Sequence, residues 1–398
     1  MPHYRQWSAA FASYFTILGL WTAFGPSTLM AAAPAAAPAA LAAITLAYFV
    51  ATPFVRALWV RFGFGRTAVL MGGGVAASLL AAALAPTWLA WCVPLAFFFG
   101  SASYTLCETR LLEDLARAGQ GHAFGRARKW GSFGFLAAAS LGGAVFALGS
   151  VGSAFTALLA LCALVYFGCC VALARVEHEP APEAGPVAGH GAQIAADPAP
   201  GTDHGASQRS DGAHQARQAR PGPAPDRPVE RWGGAAAITG MRLAEAVSTT
   251  WFGAYWLHTG HGPLETGLLC ALPVAAEFLA MWKGGAFLQR HSASAMMALC
   301  TGVSALRWAA TPWCEALWCA VPLQSAHAFT FGFFYPASLI WLKQAFHDDF
   351  FRARYATEAL ARALTAAVSY LAAGWLIAAH GYGALYALGT ALALPCGL

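Results

Sequence analysis

Apolar segments of about 20 residues recur along the whole chain, and almost every charged residue lies between them. An α-helix needs about 20 apolar residues to cross the hydrocarbon core of a bilayer. Of the 398 residues, 58% are hydrophobic and 10% are charged, whereas a typical soluble protein carries about 25% charged residues. The sequence therefore predicts an all-α integral membrane protein, and it shows no stretch polar enough for a soluble catalytic domain.

Charges, prolines and glycines divide the apolar sequence into about twelve predicted spans, numbered here in chain order. The predicted spans are 8–31, 37–60, 66–85, 88–112, 128–149, 152–174, 233–258, 264–287, 293–312, 315–342, 353–379 and 382–396. The first apolar run is too long for the hydrophobic region of a signal peptide, which has about 7–15 residues. We therefore interpret it as the first membrane helix.

Lys and Arg residues are concentrated in every second connection between spans. The odd connections contain none, and the even ones hold nearly all of them, including Arg61, Lys129, Arg290 and Lys343. Cytoplasmic loops carry the excess of positive charge in membrane proteins. This alternation places both termini and the central connection in the cytoplasm, as in a multi-pass protein of a bacterial inner membrane.

Residues 175–231 differ from the rest of the chain, because they are rich in Pro, Ala, Gly, His, Asp and Arg and nearly free of large apolar side chains. Such a composition cannot bury enough surface to become ordered. We predict a disordered cytoplasmic linker between an N-terminal six-helix half, residues 1–174, and a C-terminal six-helix half, residues 232–398. The linker histidines lack the compact spacing of a metal site.

Glu277, Arg307 and His327 occur in three consecutive spans that are otherwise almost uncharged. At 1.5 Å per residue, each lies roughly 18–20 Å from the end of its span, near the middle of the membrane. A charge in hydrocarbon is costly and usually marks a transport pathway. We predict one polar layer in which Glu277 and Arg307 could pair and His327 exchanges a proton or holds a polar substrate. The alternative is a buried ion pair that only fixes helix packing.

Other charged residues are less clearly placed. Glu108, near the cytoplasmic end of span four, is either a substrate or proton site or an interfacial charge. Arg242 and Glu245 have the i,i+3 spacing of a local pair, and Glu358 and Arg362 have the i,i+4 spacing. We favour a structural or gating role for these pairs, although Glu245 lies at a depth similar to Glu277 and could join the site.

The chain contains ten cysteines, and none of them forms a CxxC pair. We expect small apolar core residues, and we predict neither a disulfide framework nor a metal site. The sequence has no phosphate-binding loop of the Walker A type, so we predict no cofactor and no ATP hydrolysis. A proton gradient is then the simplest energy source for transport.

Four sequence stretches resemble the phenylpropionate permease family, a branch of the major facilitator superfamily that is similar to the lactose permease. They are FGRARKWGS at Phe124–Ser132, VAAEFL around Glu277, LRW at Leu306–Trp308 and QSAHAFTF at Gln324–Phe331. The resemblance implies a major facilitator fold of two six-helix halves, with proton-coupled uptake by alternating access. By position, it assigns proton coupling and substrate binding to Glu277, Arg307 and His327, and less directly to Glu108.

The chain departs from the lactose permease at one position that bears on coupling. Thr330 stands where the lactose permease has a coupling carboxylate, so the proton carrier is Glu277 or His327, or the coupling differs. The loop WVRFGFGR, at 59–66, keeps the basic residues and glycines of the superfamily motif but lacks its acidic residue.

Together these features predict a secondary transporter rather than an enzyme. The predicted activity is proton-coupled uptake of a small organic solute, with an aromatic carboxylate such as phenylpropionate as a candidate. The alternatives are a sugar or nucleoside proton symporter, or an exporter of lipophilic compounds. The predicted partners are the substrate, protons and lipid, without nucleic acid, and we expect a monomer.

Overall fold

The computed structural model describes residues 3–117, 124–149, 151–176, 228–283 and 285–397, which form helices and short connections. By length and composition, seven stretches of these residues can cross a membrane: Tyr4–Ala32, Phe64–Leu84, Pro86–Leu115, Arg126–Ala147, Gly152–Arg175, Pro263–Ala280 and Arg352–Cys396. Helices also form at the other predicted spans, so the structure is consistent with twelve passes.

In the N-terminal part, each predicted span is one helix. These helices are Tyr4–Ala32, Ala37–Phe62, Phe64–Leu84, Leu89–Arg117, Phe124–Ala147 and Val151–Val176. The predicted linker begins at 175, but the last of these helices continues to Val176, and the next begins at Pro228. The predicted disorder of residues 177–227 concerns a segment outside the described residues.

In the C-terminal part, most of the spans are interrupted. Span seven is Pro228–Thr250 and Phe252–His258, span eight is Pro263–Lys283 with the short helix Gly285–Arg290 after it, and span nine is Ala293–Ala310. Span ten consists of Leu317–Ser325, a π-helical turn at Ala328–Phe333, and Phe334–Phe346. Span eleven begins as Phe350–Leu364, continues as a π-helical segment at Thr365–Ala372, and passes into the helix Ala373–Ala393.

Gly381 separates spans eleven and twelve within the helix Ala373–Ala393. Its backbone angles are φ 77° and ψ 178°, whereas its neighbours are helical. Only glycine adopts this combination without strain, because it has no Cβ. The sharp bend at Gly381 therefore ends one span and starts the next, as predicted from the sequence.

The packing of the spans repeats along the chain. Span one packs on span five, span two on span four, and span three on span six. Six spans later, span seven packs on span eleven, span eight on span ten, and span nine on span twelve. Between the two sets, span five contacts span eight, and span two contacts span eleven. This repeat is the pattern expected of two halves related by a pseudo-two-fold axis, although the exact division stays a prediction.

Close glycine contacts join the two sets of helices near their predicted outer ends. A Cβ on Gly267, in span eight, would overlap the backbone oxygen of Ala139 in span five, and one on Gly253 would overlap the backbone oxygen of Ala23. A Cβ on Gly374 would lie 2.8 Å from Pro38. Because backbones approach closely where small residues meet, the two sets of helices are tightly packed at these contacts, which lie towards the predicted outer side.

Candidate functional site

Arg307 is the most deeply buried charged side chain of the predicted layer, with 3% of its surface exposed. Its Nη2 donates to Oε1 of Gln324 at 2.8 Å, and its Nη1 lies 3.3 Å from Nδ1 of His327 and 3.4 Å from Oγ1 of Thr330. All three partners are neutral acceptors. The Nε of Arg307 is buried and has no hydrogen-bond partner among the described residues.

A π-helical turn in span ten carries Thr330, one of the three residues of this span that contact Arg307. It begins at Ala328, directly after His327, and contains Thr330. π-Bulges often occur at functional sites because they shift the side chains that follow them. Thr330 also accepts a hydrogen bond from Ser304 at 3.0 Å, so spans nine and ten are joined by polar contacts at this level.

His327 connects Arg307 to two carboxylates. A guanidinium group only donates hydrogen bonds, so the Nδ1 of a neutral His327 accepts from Arg307 and its Nε2 carries the hydrogen. This Nε2 lies 3.9 Å from Oε1 of Glu245 and 4.0 Å from Oε2 of Glu277. Arg307, His327, Glu245 and Glu277 therefore form one cluster that draws on spans seven, eight, nine and ten.

The cluster differs from the predicted pairing in one respect. Among the ion pairs of the described residues, Arg307 has no acidic partner, and Glu277 lies beside His327 instead. The charges of Arg128, Arg242 and Glu245 act on the Glu277 carboxylate. The suggested Glu277–Arg307 pair is therefore replaced by an arrangement in which His327 stands between the two residues.

Arg242 and Glu245 form the predicted pair within span seven, with Nη1 and Oε2 3.8 Å apart. The shorter ion pair of Arg242 joins it to Glu358 of span eleven, at 3.1 Å between Nη2 and Oε1. The predicted pair of Glu358 with Arg362 cannot be compared, because the Arg362 side chain lies outside the described residues. Arg242 thus links two spans rather than neutralising only a neighbour on its own helix.

Glu108 belongs to a second polar cluster, between spans four and five. The hydroxyl of Tyr104 donates to Oε1 of Glu108 at 2.8 Å and accepts from Nε of Arg128 at 3.1 Å. The Arg128 guanidinium also lies over the ring of Phe15, 4.1 Å from its centroid. Glu108 therefore has a defined hydrogen-bonded partner, and among the described residues no hydrogen bond or ion pair joins it to Glu277.

Aromatic rings form a parallel stack along span ten. The ring centroids of His327 and Phe331 are 6.1 Å apart, and those of Phe331 and Tyr335 are 5.3 Å apart, with interplanar angles of 7° and 6°. Tyr386, in span twelve, is 1% exposed, and within the part of the chain that the structure describes its hydroxyl has no hydrogen-bond partner. The Tyr386 hydroxyl is within electrostatic range of Arg307, so it extends the cluster to a fifth span.

Sequence reasoning did not assign Gln324, Arg128 and Tyr386 to the site. Gln324 and Arg128 lie in the stretches that carry the family resemblance, which was the available signal for both. Tyr386 lies in an apolar helix without any neighbouring charge. Its inclusion depends on how span twelve is rotated against span nine, which the sequence pattern does not specify.

Two cysteines correct the prediction that all ten are isolated core residues. Cys314 and Cys319 form a disulfide, with their Cα atoms 5.5 Å apart, a usual separation for a bridged pair. The loop between spans nine and ten folds back on itself and brings the two residues together. The predicted outer location of this loop agrees with an oxidising compartment.

A protein-family model described as the MFS_1 like family matches residues 33–378 of the chain. The chain belongs to this family. It is a membrane transporter of the major facilitator type, and the predicted fold class is confirmed. A search of curated proteins found no match, so the resemblance to phenylpropionate permeases remains a prediction.

Solved structures of other transporters share the fold. The nucleoside transporter NupG is 13% identical, with a TM-score of 0.71 over 100% of this chain and 98% of that chain. The POT family transporter PepTSo is 10% identical, with a TM-score of 0.67 over 99% and 95%. A bacterial metal transporter is 13% identical, with a TM-score of 0.66 over 100% and 97%. At these identities the likeness shows the fold and not the substrate.

Proposed function

We propose that this transporter carries out proton-coupled uptake of small organic anions by alternating access. Aromatic carboxylates such as phenylpropionate are the proposed substrate class. The observation that carries the proposal is the deeply buried Arg307, which contacts only neutral groups. A buried charge is costly unless it is paired, and a carboxylate on the substrate would supply the missing partner.

The hydrogen-bond donors of Arg307 support a carboxylate in particular. A guanidinium has five N–H donors, and Gln324, His327 and Thr330 account for three of them. The Nε–H and one Nη2 N–H remain for a ligand, and carboxylates commonly accept two guanidinium hydrogen bonds at once. The partnerless hydroxyl of Tyr386 is a further donor near the same residue.

His327, Glu277 and Glu245 are the proposed proton-binding groups. Thr330 is not a proton carrier, because an aliphatic hydroxyl does not titrate near neutral pH; its Oγ1 accepts hydrogen bonds from Ser304 and Arg307 instead. The carboxylates of Glu245 and Glu277 lie 3.9 Å and 4.0 Å from His327 Nε2. A proton on this cluster and a carboxylate on Arg307 attract each other, so binding of one favours binding of the other.

Because the predicted outer side is closed, we propose that this structure is the inward-facing state of the transport cycle. The glycine contacts at Gly253, Gly267 and Gly374 close the predicted outer end.

We propose that the protein lies in a bacterial inner membrane with both termini in the cytoplasm. Reporter fusions at Arg5 and Arg290 should both report the cytoplasmic side, and an outward signal from either would contradict this topology.

Uptake by purified protein in proteoliposomes tests the proposed function. The panel contains 3-phenylpropionate, its neutral amide, uridine and lactose, each with and without an inward proton gradient. We expect uptake of 3-phenylpropionate alone, driven by the gradient. Uptake of uridine or lactose instead would favour the sugar or nucleoside alternative.

Two substitutions test the assigned proton roles in the same assay. Glu277→Gln and His327→Ala should each abolish gradient-driven uptake, because each removes a titratable group from the cluster. Glu265→Gln is the matched control, since it makes the same change in span eight at a residue that pairs with His261. If both cluster variants retain wild-type uptake, these proton roles are wrong.

A further inference from the structure

Arg242 lies between two carboxylates that come from different parts of the chain. Its Nη2 is 3.1 Å from Oε1 of Glu358 in span eleven, and its Nη1 is 3.8 Å from Oε2 of Glu245 in span seven. The other oxygen of Glu245 faces Nε2 of His327 at 3.9 Å. Arg242 is therefore the cation that stands next to the proposed proton site on the side away from Arg307.

Span ten also holds the Arg242 guanidinium in place. The guanidinium carbon lies 5.1 Å from the ring centroid of Phe331 and 5.3 Å from that of Tyr335, within the range of cation–π attraction. The Tyr335 hydroxyl accepts a hydrogen bond from Arg354 at 3.1 Å. Arg242 is thus contacted by residues of spans ten and eleven as well as by Glu245 on its own helix.

Exposure increases along the row of contacts from His327 through Glu245 and Arg242 to Glu358, whereas Glu277 of the same cluster is 23% exposed. The side chain of His327 is 10% exposed, that of Glu245 14%, that of Arg242 21% and that of Glu358 30%. Arg242 precedes Glu245 in a helix that is predicted to start in the cytoplasm, and Glu358 lies in the third turn of the helix that starts at Phe350. Glu358, the most exposed of these side chains, therefore lies in the part of span eleven that is predicted to be nearer the cytoplasm.

The charges around Glu245 act in opposite directions on a proton there. The charged groups that act on Glu245 are Arg242, Arg307 and Glu358, and Glu245 in turn acts on Glu277. His327 faces Glu245 as well. Among the described residues, Arg242 is the cation with a direct ion pair to Glu245. Coulomb energy falls with separation, so the distance between Arg242 and Glu245 has the largest effect on a proton at Glu245.

We infer that Arg242 is the proton-release residue of the transporter and that Glu358 is the positioning residue that holds it there. The inference rests on the proposed proton coupling. In the inward-facing state, Arg242 approaches a protonated Glu245, the O–H bond of the carboxyl breaks, and the proton passes to water on the cytoplasmic side. The remaining carboxylate pairs with Arg242, which returns the site to the charge state seen here.

Comparison of net uptake with exchange tests the role of Arg242. Exchange of labelled 3-phenylpropionate between equal inside and outside concentrations requires no net proton release, whereas gradient-driven uptake does. Arg242→Gln should lower net uptake about tenfold or more and change exchange by less than about twofold. Raising the internal pH should restore part of the net uptake, because hydroxide then removes the proton without help from Arg242.

Variants of Glu358 separate positioning from simple charge balance. Glu358→Gln should show the same selective loss as Arg242→Gln, and Glu358→Asp should recover net uptake in part. The double variant Arg242→Gln/Glu358→Gln restores charge balance but lacks the release cation, so its net uptake should stay low. Recovery of net uptake in the double variant would show that charge balance alone matters and would overturn the inference.

Two further variants complete the test. Arg290→Gln is the control, because it removes the same charge at an exposed arginine outside the cluster, and it should leave both activities unchanged. Arg242→Lys keeps the charge and should retain net uptake, so it decides the question if Arg242→Gln does not fold. Equal loss of net uptake and exchange in Arg242→Lys would overturn the inference.

The wild-type protein distinguishes failure of this inference from failure of the proposed function. If wild-type uptake does not respond to a proton gradient, proton coupling is wrong and the release role is refuted with it. If wild-type uptake is coupled to protons and Arg242→Gln retains it fully, only the role of Arg242 is refuted.

Discussion

The substitution Arg307→Met separates the contribution of Arg307 to ligand binding from its contribution to folding. Methionine fills similar volume without charge, so the unliganded protein loses a costly buried cation together with hydrogen bonds to Gln324, His327 and Thr330. Replacing buried charges by apolar side chains is often neutral or stabilising by about 1–4 kcal/mol. Leaving a buried acceptor such as Gln324 Oε1 unpaired costs about 1–3 kcal/mol. These effects offset each other, so we expect unliganded stability to change by no more than about 2 kcal/mol.

Binding of a carboxylate should change much more. Removing one partner of a buried, hydrogen-bonded charge pair costs about 2–5 kcal/mol, which corresponds to about 30-fold to about 4,000-fold in Kd. At 100 times the wild-type Kd, 3-phenylpropionate should stabilise the wild-type protein by about 2.7 kcal/mol. The same concentration should stabilise Arg307→Met by less than about 1 kcal/mol.

Unfolding of the purified protein in detergent, followed with and without 3-phenylpropionate, measures both quantities. The neutral amide of the same acid is the ligand control, and Arg290→Met, at an exposed arginine, is the protein control. If Arg307→Met keeps the full stabilisation by the carboxylate, Arg307 does not bind it. If the neutral amide stabilises the wild-type protein equally, the reasoning from the unpaired guanidinium is refuted.

The remaining predictions concern the fold around the site. Gly267→Ala should destabilise the closed outer side, because the new methyl group meets backbone. Labelling of that side by water-soluble reagents should therefore increase. Gly302→Ala is the control and should not increase labelling, because a Cβ there meets nothing within 4 Å. Gly381→Ala should lower the free energy of unfolding by about 1–3 kcal/mol, because alanine is strained at this φ and ψ. Gly383→Ala, where a Cβ meets open space, should be neutral. Equal effects of the two substitutions in a denaturation series would contradict the bend at Gly381. Cys314→Ser removes a disulfide that closes a short loop and should lower stability by about 2 kcal/mol, and an unchanged stability in the presence and absence of reductant would contradict the bridge to Cys319.

The sequence predicted much of the site because depth in a membrane can be counted along a helix. The Lys and Arg residues gave the direction of each span. With a helical rise of 1.5 Å per residue, these directions placed Glu277, Arg307 and His327 at one level. The structure brings His327 within 3.3 Å of Arg307 and 4.0 Å of Glu277. Glu245, placed at a similar depth by the same counting, also joins the cluster.

The sequence could not predict how each helix is rotated about its own axis. The i,i+3 spacing of Arg242 and Glu245 indicated a local pair, and nothing in it indicated that Arg242 turns towards Glu358 on another span. The π-helical turn after His327 changes the facing of Thr330 and cannot be recognised from apolar periodicity. For the same reason, the partnerless hydroxyl of Tyr386 was not distinguishable from any other aromatic side chain in an apolar helix.

Co-transport of protons with an aromatic carboxylate is the central claim, and internal pH measures it most directly. Proteoliposomes with the wild-type protein and an internal pH dye are exposed to 3-phenylpropionate at constant external pH. The account predicts internal acidification that begins with addition of the carboxylate, that is abolished in Arg307→Met, and that is absent with the neutral amide. Uptake of labelled 3-phenylpropionate without proton entry, or no uptake in active proteoliposomes, would contradict it.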